Sequence, residues 1–144
     1  MKLRFLYSKG KENERLLNIS EEYQWFIDND FPIVLPEFYD KIYRQNKNNK
    51  KFFPKKLKTE LAGIYDKNKY QSELVKVKNS WQKIERSFFD ILNDLNFKII
   101  NKYICYISFY GPQGQFQRPG TIILRVFNKK DTQEANITIA HEII

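Results

Sequence analysis

The sequence predicts an α+β domain, and three observations carry the prediction. A long apolar stripe at helical spacing fills the middle of the chain, two β-branched and aromatic runs follow it, and a helical pattern closes it. The order is N-terminal helices including one long amphipathic helix, then a β-hairpin or small antiparallel sheet, then a C-terminal helix. That order points away from a parallel α/β fold, in which strands and helices alternate. At 144 residues the chain fits a single domain over 1–144, with a helical part at about 11–96 and a strand-hairpin-helix part at about 97–144.

Each element has its own warrant. Leu3, Phe5 and Tyr7 alternate with Lys2, Arg4 and Leu6, which predicts a short first strand ended by Gly10 and the polar run after it. A helix is expected over 18–28, where Asn18 and Glu21 stand at capping-box spacing and Tyr23, Phe26 and Ile27 share a face. Pro32 and Pro36 bracket a break, and Pro36 suits the first turn of a helix that turns Phe38 and Ile42 inward. The Asn- and Lys-rich run at 45–51 closes that helix, and Pro54 prevents simple continuation.

Leu74, Val77, Trp81, Ile84, Phe88, Ile91 with Leu92, and Leu95 then recur at spacings of three and four. They predict one amphipathic helix of about six turns, with Lys76, Lys78, Gln82, Lys83, Glu85 and Asp90 on its other faces. Such a stripe far more often faces a core than forms a binding groove. Residues 98–110 and the run TIILRVF at 121–127 read as strands, joined by a connection rich in Gly111, Pro112, Gly114, Pro119 and Gly120. From 131 or 132 onward the pattern is helical again, with Thr132 as a cap and Ala135, Ile137, Ala140 and Ile144 on a buried face.

Composition narrows the function classes. Apolar residues at 42% and aromatics at 16% supply a core and exclude global disorder. The one cysteine, Cys105, forms no internal disulfide, and no leader or stretch approaching about 18 apolar residues is visible. A cytoplasmic protein with no membrane partner is expected. There is no phosphate loop, dinucleotide fingerprint, CxxC or serine elbow, so nucleotide-dependent and thiol-redox functions have no support.

The net charge of +8 is concentrated between residues 41 and 60, where eight basic residues face one acid, Glu60. Lys47, Lys50, Lys51, Lys55, Lys56 and Lys58 are the candidate patch for an acidic protein partner or for nucleic acid. A solvated, lysine-rich helix face explains the same charges without a partner. Phe52 and Phe53 are possible stacking platforms, with core packing the commoner role for such a pair.

One constellation points to chemistry. The last helix carries Ala140-His141-Glu142-Ile143-Ile144. In the HExxH signature two histidines four apart on one helix face bind zinc, and the glutamate between them is general base toward the metal-bound water. Before it stand Tyr110-Gly111-Pro112-Gln113-Gly114-Gln115-Phe116 and Thr121-Ile122-Ile123-Leu124. Together, residues 103–144 resemble the middle of a family of small bacterial zincin-like metallopeptidases, which pair a glycine loop and an Ile-Ile-Leu strand with a His-Glu-Ile-Ile-His helix.

The resemblance implies His141 as a zinc ligand, Glu142 as the catalytic base, and the strand Thr121, Ile122, Ile123, Leu124 as the surface along which a peptide or protein substrate adds. The chain departs from the pattern at Gln113 and Gln115, where smaller residues are expected, and it reaches Ile144 one residue short of the second histidine. Zinc is therefore expected only if the chain continues past Ile144, and no cofactor and no complete hydrolase in the sequence as it stands. The alternative is a non-enzymatic binding protein of the immunity or antitoxin kind that uses the basic patch, with nucleic-acid binding as a third reading.

Overall fold

A computed structural model describes residues 2–46 and 48–144. Its centre is a four-stranded sheet of β1 (Leu3–Leu6), β2 (Tyr103–Ser108), β3 (Gly114–Gln117) and β4 (Thr121–Arg125), in the order β1-β2-β4-β3. β1 lies parallel to β2, β2 parallel to β4, and β3 antiparallel to β4. Ile122, Ile123 and Leu124 of β4 are all buried, as expected of a strand covered on both faces. The α+β class holds, but the runs at 98–110 and 121–127 do not form a hairpin with each other. They pair in parallel, and the glycine-rich connection between them supplies β3, which turns back along the far side of β4.

Five helices lie between β1 and β2: α1 (Lys9–Asp28), α2 (Tyr39–Asn46), α3 (Phe52–Ile64), α4 (Lys67–Gln82) and α5 (Glu85–Asp94). α1 begins well before residue 18. Ser8 is its N-cap, accepting the Lys11 N–H at 3.0 Å, and Gly10 is absorbed in the first turn. The expected long helix is two helices. Past Trp81 the stripe loses its partner, since Ile84 is 38% and Ile91 57% exposed, and α5 instead buries Phe89 and Leu92. Apolar residues stand at both phases in 88–92, so periodicity could not show the change. A tertiary contact sets it: the Glu85 carboxylate accepts the Lys2 and Leu3 N–H groups at 2.7 and 2.8 Å, holding the start of β1.

After β4 come α6 (Lys129–Gln133) and α7 (Ala135–Ile143). Asn128 caps α6 by accepting the Asp131 N–H at 2.8 Å. Thr132 is not the cap; its hydroxyl donates to Glu73 at 2.8 Å. α7 buries Ala135, Thr138 and Ile139, while Ile137 and Ile144 face outward, contrary to the buried face expected from the sequence.

Two apolar clusters result. The sheet, α4, α5 and α7 enclose Leu3, Trp81, Phe89, Cys105, Leu124 and Ile139. α1, α2 and α3 enclose Leu16, Tyr23, Tyr39, Phe53, Leu57 and Leu61. α1 joins the two, because Glu12 and Arg15 on its first turns reach the ends of the strands. No helix among the described residues is long and apolar enough to cross a membrane.

Candidate functional site

α7 packs on β3 and β4, and this places the His-Glu pair beside an edge of the sheet. A Cβ at Gly114 would stand 2.6 Å from Thr138 Cγ2 and 2.7 Å from Glu142 Oε1. Only glycine lets α7 approach so closely, and the approach leaves Glu142 half-buried against the start of β3. His141, on the next position of the helix, is exposed.

The candidate substrate strand needs correction. Thr121, Ile122, Ile123 and Leu124 lie in β4, whose backbone is engaged by β2 on one side and β3 on the other. A strand paired on both sides has no free ladder for a peptide. The sheet edges are β1 and β3, and of the two it is β3 that borders Glu142.

The described residues do not make a zinc centre on their own. They contain one imidazole and no group of three His, Cys, Asp or Glu side chains able to hold a metal ion. Cys105 is fully buried in β2, and burial pushes its thiol well above the ordinary range.

Sequence reasoning missed a buried polar cluster where α1 meets the end of β2 and the loop before β3. Glu12 is buried and accepts three hydrogen bonds: from the Ser108 hydroxyl at 2.6 Å, the Tyr70 hydroxyl at 2.7 Å and the Phe109 N–H at 3.0 Å. Burial nevertheless raises its carboxyl above the usual carboxylate range, against the pull of those three donors. One helical turn on, Arg15 is 2% exposed and donates from Nη2 to the Pro112 carbonyl at 2.6 Å. Its Nε and Nη1 are buried without a hydrogen-bond partner among the described residues. Burial pushes the guanidinium down to about 10; Glu12 and Glu142 act to hold its charge, and Arg125 acts against it.

Gly111 sits directly against Arg15. Its φ is +85°, and a Cβ there would fall onto the guanidinium. The loop is fixed from both sides: Gly111 and Val34 exchange backbone hydrogen bonds, and Arg125 Nη1 donates to the Gly111 carbonyl at 3.1 Å. Arg125 also makes a two-pronged pair with Asp131 at 2.8 and 2.9 Å, which ties β4 to α6. The clue in the sequence was slight. Glu12, Arg15, Leu16, Ile19 and Tyr23 share one face of a single helix, but polar residues on a stripe read as its solvent side.

The basic patch lies elsewhere, around the start of α3. Lys50, Lys51, Lys55, Lys56 and Lys58 are exposed, and none of their ammonium groups has an ion-pair partner among the described residues; Lys47 falls outside the described residues. Phe53 belongs to the second core, and Phe52 is exposed beside the lysines. Compared with protein-family models, with curated proteins and with solved structures, the chain finds no significant match.

Proposed function

We propose that the chain is the framework of a zincin-like metallopeptidase domain. In this reading an extended peptide lies along β3, His141 supplies one zinc ligand and Glu142 is the base beside it. The observation that carries it is the seating of Glu142 on Gly114, at the start of an edge strand with no strand paired to its outer side among the described residues. His141 is exposed one residue away, free to take a ligand role. Catalytic zinc takes about three protein ligands and a water, so the reading requires ligands beyond the described residues. Elemental analysis of protein from the complete natural gene, with His141→Ala alongside, tests it. About one zinc per chain, lost in the variant, is the expected result; metal-free protein in both cases would end the reading.

A second reading is favoured by the lysines. α3 starts without an acid in its first turn and without a side-chain cap, and Lys51, Lys55 and Lys56 crowd that end. Cations at a helix N-terminus oppose the helix dipole, so stability does not explain their placement. An acidic protein surface fits them, in the manner of an immunity or antitoxin protein, and nucleic acid would be met by the same charges.

A further inference from the structure

The parallel strands β2 and β4 end side by side, and the residues just past those ends line a cleft that neither reading above uses. Clefts in sheets of this kind characteristically open at the carboxyl ends of parallel strands. This one has a volume of about 470 Å³. Phe109 and Tyr110 follow β2, Phe127 follows β4, Tyr65 ends α3 and Tyr70 stands on the first turn of α4. Three of the rings are in contact: Tyr65 to Tyr70 is 4.6 Å between centroids and Tyr70 to Phe109 is 4.5 Å. Phe127 is 50% exposed at the mouth and also lines two neighbouring hollows.

The polar groups at this cleft are two carboxylates, hydroxyls and one lysine. Asp66 and Glu73 line it, against one cation, Lys69. Asp66 uses Oδ1 to cap α4, accepting the Asn68 and Lys69 N–H groups at 3.0 and 3.4 Å, and its second oxygen has no partner among the described residues. Glu73 is held by Lys76 at 2.9 Å and by the Thr132 hydroxyl at 2.8 Å. Tyr70 donates its proton to Glu12, which places a further carboxylate behind the ring wall. Glu73 is thus neutralised by Lys76, and Asp66 is left as the cleft's carboxylate without an ion-pair partner among the described residues.

We propose that this cleft binds an organic cation of the alkylated-ammonium class. The ring faces and edges would meet the alkyl groups, and Asp66 would supply the countercharge. A cation over aromatic faces gains about 0.5–2 kcal/mol beyond burial of its apolar surface, and an anion would meet the Asp66 carboxylate instead. The proposal does not rest on zinc or on His141.

The test compares choline with 3,3-dimethyl-1-butanol, its uncharged isostere, by calorimetric and NMR titration of the whole chain. Choline is expected to bind at millimolar concentration, about 2- to 30-fold more tightly than the isostere. Phe127→Leu, which keeps apolar bulk but loses the ring, and Asp66→Asn, which keeps the helix cap but loses the charge, should each weaken choline several-fold without changing the thermal melt. Equal affinity for the isostere, no binding of choline, or full affinity in both variants would overturn the proposal.

Discussion

Arg15 and Gly111 illustrate how a glycine far along the chain is dictated by an arginine near its start. The guanidinium occupies the place of a side chain at 111, and the positive φ there already excludes most residues. Gly111→Ala is expected to cost at least about 2 kcal/mol in chemical denaturation. Because part of that cost is the collision with Arg15, the double variant with Arg15→Ala should lose less than the two single losses combined, with a coupling of about 0.5–3 kcal/mol. Strict additivity would show that the two positions do not share the space. Glu142 on Gly114 repeats the pattern at the candidate site: the distinctive side chain was visible in the sequence, and the glycine that admits it was not assigned to it.

The break between α4 and α5 decides which residues of the apolar stripe matter. In a single straight helix Ile91 and Leu95 would lie with Trp81 and Val77. In the structure Ile91 is exposed while Phe89 and Leu92 are buried, because Glu85 turns toward the backbone of β1. Leu92→Ala should therefore cost about 2–5 kcal/mol, and Ile91→Ala less than about 0.5 kcal/mol, by urea denaturation. Reversed sensitivities would restore the continuous helix. The sheet follows the same logic. Both strand runs at 98–110 and 121–127 were visible as β-rich segments, but parallel and antiparallel pairing place the same residues in the same faces. The Gly/Pro connection looked like a turn because β3 is short, polar and half exposed.

The two cores share an unusual load of buried phenols, and this makes the folded chain sensitive to alkali. Burial and, for Tyr23, the hydrogen bond to Asp40 push its hydroxyl up to about 12; burial and Glu12 push Tyr110 up to about 12. Tyr39 and Tyr70 are raised further, burial leading in both. An unfolded tyrosine ionises near about 10. The folded chain thus holds protons that the unfolded chain releases. Its stability is full below about pH 10 and falls as the pH rises toward 12 and beyond. Circular dichroism and tyrosinate absorbance followed together should show the fold lost in that window, with the absorbance rising as the fold melts. Tyrosines that ionise near 10 with the fold intact would contradict the burial. Arg15, displaced downward, acts in the opposite sense as one group among several.

Much of this molecule is local information. Hydrophobic periodicity, β-branched runs, cap residues and prolines specify that helices come first, where most of them lie, and that strands and a last helix follow, because each depends on neighbours within a few positions. The His141-Glu142 pair and the lysines at 50–58 were visible for the same reason. The parallel pairing, the capture of β1 by Glu85, the insertion of β3 and the buried Glu12–Ser108–Tyr70 cluster are set by tertiary contacts, and the Glu85 and Glu12 hydrogen bonds join residues between 58 and 96 positions apart in the chain. Those contacts join residues whose individual patterns look ordinary, and their hydrogen bonds become strong only where the fold has removed water.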